Sequence, residues 1–65
     1  MKTILIAKRI KFLLKEQGMK QGELARRTGM DISRISRIVN GLTNPTIATI
    51  ERMEEVLGEQ IISVL

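Results

Sequence analysis

Apolar residues recur along most of this chain at the spacing of helices. Ile6, Ile10, Leu13 and Leu14 fall at i, i+4, i+7 and i+8, one stripe of a 3.6-residue repeat, and predict a helix from about Thr3 to Gln17. Two shorter helical patterns follow, from about Gln21 to Thr28 and from about Ile32 to Asn40. A fourth runs through Leu57 behind Thr46, its expected cap, with Ile47, Ile50, Met53, Glu54 and Leu57 along one face. Glu54 is the one interruption in that stripe. Gly18, Gly29, Gly41 and Gly58 each follow a helical pattern, where helices commonly stop on a positive-φ residue. Pro45 disfavours helical geometry at Asn44, so Leu42 to Pro45 reads as a turn.

The segment Glu59 to Leu65 is rich in β-branched residues and too short to fold alone. Two readings stand side by side. Two copies could pair as an intermolecular β ribbon, with Ile61, Ile62, Val64 and Leu65 forming a dimer contact. Alternatively the segment adds a fifth helical turn that plugs the monomer's core. Either way residues 1–65 form a single all-α domain without linkers or repeats.

The second and third patterns carry the functional signal. Bent around Gly29, they can bring Leu24, Ala25, Thr28, Met30, Ile35 and Ile38 to one interior, and Ala25 is small enough for two helices to cross closely. Asp31, Ile32, Ser33, Arg34, Ser36 and Arg37 are left outside. A short helix displayed in this way is suited to a DNA major groove.

Composition sharpens the reading. The net charge of +4 is unevenly divided: residues 1–43 hold ten basic and three acidic side chains, a surplus of +7, whereas residues 44–65 hold Arg52 against Glu51, Glu54, Glu55 and Glu59. One end of the molecule should attract a polyanion. Cysteine and histidine are absent, which excludes disulfides, the usual zinc ligand sets and nucleophile–imidazole pairs. With no glycine-rich phosphate loop and only scattered carboxylates, no catalytic set assembles, and neither metal nor cofactor is expected. The apolar run Ile4 to Ala7 is cut by Lys8 and Arg9 and is too short for a signal or a membrane span, so a cytoplasmic location is expected. A chain of this length buries only roughly 60% of its unfolded surface, which favours support from a dimer.

With Gln21, Leu24, Ala25, Gly29, Ile35, Ile38, Asn40, Gly41 and Pro45 in place, followed by helical spacing to Leu57 and Gly58, the chain resembles helix-turn-helix proteins of the Cro/repressor (XRE) type. That class includes phage repressors and many bacterial antitoxin subunits. The resemblance covers about residues 6–58, with the helix-turn-helix itself at about 21–40. It implies a compact lambda-repressor-like domain of four to five helices and a sequence-specific regulator of transcription. The expected regulator is a repressor that binds a palindromic operator as a homodimer. An autoregulating antitoxin with a toxin partner is one subtype. The rival from another class is a protein–protein adaptor on the same fold, which would more comfortably present an apolar face than the serines and arginines found here.

The resemblance assigns a role to Gln21, and side-chain chemistry assigns the others. Gln21 would hold a backbone phosphate at the amide-rich start of the second helix, joined by Lys20, Arg34, Asn40, Thr43 and Asn44. Base reading would fall to Ile32, Ser33, Ser36 and Arg37. Arg37 has the fork for guanine, and Ile32 is suited to a thymine methyl unless it leans back on Met30 and Ile35. Asp31 reads first as a helix cap; it would touch DNA only by accepting from a cytosine amine.

The chain departs from the family pattern in three ways. Lys20 stands where a capping serine is usual, exchanging a hydroxyl for a cation. Gly22 lies near the start of the second helix, where bulkier residues are common; it is either tolerated in the first turn or lets amides approach a phosphate. Leu14 and Val39 occupy the places of an arginine and a glutamate that many members pair, so an apolar contact replaces a partly buried ion pair. Val39→Glu alone should therefore lower the melting temperature, since a buried unpaired charge costs about 3–5 kcal/mol. The double variant Leu14→Arg/Val39→Glu should recover much of the loss, and thermal melts with no recovery would reject the pairing.

Overall fold

A computed structural model describes residues 3–65 as four helices, α1 (Thr3–Gln17), α2 (Gln21–Thr28), α3 (Ile32–Val39) and α4 (Ile47–Leu57). Of the basic residues, Lys2 lies outside the described residues. The helix boundaries follow from local chemistry. After α2, Gly29 takes a left-handed backbone conformation (φ +73°), which lets its own amide bond the Arg26 carbonyl and the Met30 amide bond that of Ala25. That geometry is strained for a residue with a side chain, so the turn between α2 and α3 depends on glycine. At the other end of α3, Gly41 has φ +72°, and a Cβ there would sit 3.7 Å from the side chains of Ala7 and Ile4. The chain thus leaves α3 pressed against α1. α4 begins as expected, with Thr46 Oγ1 accepting from the Thr49 amide at 3.2 Å.

α2 packs on α3 and α4, and α1 packs on α3, so the short α3 is held from two sides. Their common core contains Ile6, Ile10, Leu13 and Leu14 of α1, Leu24 and Ala25 of α2, Ile35, Ile38 and Val39 of α3, and Ile50, Met53 and Leu57 of α4. Leu14 and Val39 are both in it. Burying each large aliphatic side chain contributes about 1.5–3 kcal/mol, so these few helical turns carry most of the stabilisation. Thr28 is buried at the end of α2, where its hydroxyl donates to the Leu24 carbonyl at 2.7 Å and needs no further partner. Met30 is half-buried against the core. Ile47 departs from the expected stripe: it is 56% exposed, whereas Thr49 and Ile50 of the same turn are buried.

The C-terminal segment takes the plug arrangement. It contains bends and a tight turn, with the Leu65 amide on the Ile62 carbonyl at 3.0 Å, and no strand among the described residues. Ile61 is 0% exposed in the monomer's own core, so it is withdrawn from the expected dimer contact; Ile62 is half-buried, and Val64 and Leu65 are exposed. Glu54 explains its place in an apolar stripe by accepting from the Ile61 amide at 2.7 Å. Two α1 side chains complete the attachment. Gln17 Nε2 donates to the Leu57 carbonyl at 2.7 Å, and Arg9 Nε donates to that of Gln60 at 3.0 Å while lying 5.8 Å from the Phe12 ring centroid. Ile61→Ala should lower unfolding stability by about 2–5 kcal/mol, as for other fully buried isoleucines. Denaturant melts should show the same loss at low and high protein concentration; a loss that vanishes on dilution would place Ile61 at a subunit contact.

Candidate nucleic-acid interface

α3 divides sharply into an inner and an outer side. Ile35, Ile38 and Val39 are spaced i, i+3, i+4 and are all buried, which turns Ile32, Ser33 and Arg37 to solvent and leaves Ser36 half-buried at the margin. Arg37 has no polar partner among the described residues, and its fork is unoccupied. Ile32 is 54% exposed, and its Cδ1 lies 3.5 Å from where a Cβ on Gly22 would stand. It therefore leans toward the first turn of α2 while keeping over half its surface in water. This contact also brings the start of α2 beside the start of α3.

The start of α2 is open. Its flanking residue Lys20 is extended, with no side-chain cap, and its carbonyl takes the amides of Glu23 and Leu24 at 3.1 Å. The amides of Gln21 and Gly22 precede the first helical hydrogen bond and have no acceptor in the helix. Lys20 is exposed and Gln21 half-buried at this place. Helix-end amides and an ammonium group together favour an anion such as a backbone phosphate.

Other expected contacts are engaged within the protein. Asp31 precedes α3 in extended geometry, but its carboxylate accepts from no helix amide; Oδ2 instead accepts from Ser33 Oγ at 2.9 Å. Its capping role is thus limited to the backbone, where the Asp31 carbonyl accepts from Arg34 and Ile35 amides at 3.1 Å. Asn40 folds back on α3, donating from Nδ2 to the Ser36 carbonyl at 2.8 Å and to Ser36 Oγ at 3.3 Å. Arg34 reaches α4, where Nη2 donates to Thr49 Oγ1 at 3.2 Å. It tethers α3 to the first turn of α4 with one of its five N–H donors, which leaves the others for a phosphate. Thr43 is half-buried and Asn44 exposed in the turn that follows α3.

Sequence reasoning did not assign Arg52 a role. Its Nη1 donates to the Thr28 carbonyl at 3.4 Å, and it lines, with Met30, Arg34, Ala48 and Thr49, a cleft of about 160 Å³ between α4 and the α2–α3 turn. Its isolation as the one base in an acidic segment was the available signal. The Asp31–Ser33 bond was signalled by their i, i+2 spacing at a helix start. Among the described residues the ion pair is Arg27 with Glu23, at 2.5 Å across one turn of α2.

A family model described as helix-turn-helix matches residues 10–62 of the chain. No curated protein and no solved structure matches it.

Gly22 has helical rather than positive φ, and a Cβ would make only ordinary contact with Ile32. Gly22→Ala should therefore stabilise the fold by about 0.5–1 kcal/mol through helix propensity. Melting and DNA titration separate its two readings: unchanged affinity identifies a tolerated glycine, and a loss on every DNA sequence identifies close phosphate approach.

Proposed function

The chain belongs to the helix-turn-helix family of the XRE type and is a DNA-binding transcription regulator; from that premise we propose that it is a repressor reading a palindromic operator as a homodimer. The observation that carries the reading is the outer side of α3, polar and cationic, standing beside the uncapped start of α2.

Binding begins with charge. The +7 surplus of residues 1–43 draws the domain to DNA and releases counterions, a term that is independent of sequence and weakens as salt rises. Lys20, Gln21 and the first amides of α2 then hold a phosphate, with Thr43 and Asn44 extending the backbone contact beyond α3. This seat sets how far α3 enters the groove. Within the groove Arg37 donates in a fork to guanine O6 and N7, Ile32 meets a thymine methyl, and Ser33 and Ser36 make short contacts with base edges. Arg34 and Asn40 keep α3 rigid through their bonds to Thr49 and Ser36, and the remaining Arg34 donors join the phosphate contact.

One α3 spans only a few base pairs, so specificity calls for two copies with half-site centres about 34–36 Å apart. Ile47, Ile62, Val64 and Leu65 supply apolar surface for the pairing of subunits. Ile47 and Ile62 line one shallow cleft, beside the acidic residues Glu51 and Glu54. Pairing there would join the less basic part of each subunit and leave the basic residues for DNA.

Footprinting on the DNA upstream of the chain's own gene tests the reading, with a protected symmetric site as the expected result. On that site Arg37→Ala should cost about 1–3 kcal/mol and relax the preference at one base pair, whereas Lys20→Ala should weaken all sequences alike and shallow the salt dependence by about one charge. Equal losses on operator and random DNA would move Arg37 to the phosphate contacts. A monomer by sedimentation, both free and on operator DNA, would overturn the dimer.

A further inference from the structure

One hydrogen bond sets what the first turn of α3 can offer a base. Ser33 Oγ donates to Asp31 Oδ2 at 2.9 Å, and both residues are exposed. A serine hydroxyl has one hydrogen and two lone pairs, and a carboxylate has only acceptors. With its hydrogen directed to Asp31, Ser33 turns lone pairs alone toward an incoming base, and Asp31 does the same. The next turn has the opposite character. Ser36 Oγ accepts from Asn40 Nδ2 at 3.3 Å, which leaves the Ser36 hydrogen uncommitted, and Arg37 beside it carries donors only. The outer side of α3 thus passes from acceptors at Asp31 and Ser33 to donors at Ser36 and Arg37.

The four base edges answer this pattern differently. In the major groove cytosine presents the N4 amino donor, adenine presents an amino donor beside the N7 acceptor, and guanine and thymine present acceptors. Guanine and thymine would set acceptor against acceptor at the first turn. Adenine would satisfy it through N6 while bringing N7 toward the Asp31 carboxylate. Cytosine alone meets it without a mismatched group. Ser33 and Arg37 are four positions apart, about 6 Å along the helix axis, and base pairs stack at about 3.4 Å, so the two turns address positions one or two base steps apart.

We propose that the Asp31–Ser33 hydrogen bond makes the first turn of α3 select a C·G pair through the cytosine amino group, while Arg37 selects a guanine one or two base pairs away. This rests on the operator-reading function above and adds the base identity. It also gives Asp31, whose carboxylate bonds no helix amide, a use for its charge at the groove floor, with Lys20 serving the phosphates.

Selection from a randomised duplex pool by the full chain, Asp31→Asn and Ser33→Ala tests the assignment, with thermal melts confirming that each variant is folded. The wild-type chain should enrich a C·G pair at one position, preferred about tenfold or more over A·T, and a guanine one or two pairs away. An asparagine offers both acceptor and donor, matching adenine N7 and N6. Asp31→Asn should accordingly shift that one position toward A·T and leave the guanine in place, and Ser33→Ala should reduce the preference for C·G there. A wild-type consensus in which Asp31→Asn alters no position, or alters one that was not C·G, overturns this assignment while operator reading stands. A wild-type selection that yields no consensus overturns both.

Discussion

The crossing of α2 over α3, with Leu24, Ala25 and Ile35 in its core and the left-handed Gly29 at its turn, is the constraint on which the molecule is built. It fixes which flank of an eight-residue helix is free. Without it α3 is far below the length at which an isolated helix is stable in water, and no side chain on it would hold a defined direction. α1 and α4 serve the crossing by covering its two sides. This is why so small a core can support a binding surface: the buried aliphatic residues are spent on holding one short rod.

Polar contacts refine what the core begins. Arg34 to Thr49 and Arg52 to the Thr28 carbonyl join α4 to the two ends of the α2–α3 turn. Asn40 closes α3 on Ser36, and Asp31 takes the Ser33 hydrogen. Each contact removes a donor from the surface or points an acceptor outward. Hydrogen-bond direction, in addition to residue type, therefore decides what a base would encounter. Two serines three residues apart on one helix can in this way present opposite faces to DNA.

The C-terminal segment shows how a small domain compensates for limited burial. Ile61 fills the core, and its amide, together with the Leu57 and Gln60 carbonyls, is satisfied by Glu54, Gln17 and Arg9. A turn that would otherwise fray is held by one apolar anchor and three side chains from helices. The residues after it, Val64 and Leu65, stay exposed beyond an acidic α4, at a distance along the chain from the cationic α3.

Periodicity, glycine spacing and Pro45 make the helices legible in the sequence, since helix boundaries are governed by local preferences within a few residues. The resemblance carried by Gln21, Leu24, Gly29 and Ile35 likewise pointed to the family and to α3 as the outward helix. Local pattern could not settle contacts between residues distant in the chain. Whether Ile61 faced a second subunit or its own core depended on the space left by α1 and α4, and Glu54 looked misplaced until Ile61 came to lie against it. Asn40 and Arg34 were legible as polar residues near a groove, but their partners Ser36 and Thr49 were chosen by rotamer and by the approach of neighbouring elements. Residue order encoded which groups are present and which helix face they share; the packed chain decided which of their hydrogens and lone pairs remain free, because that depends on distances between side chains that periodicity does not contain.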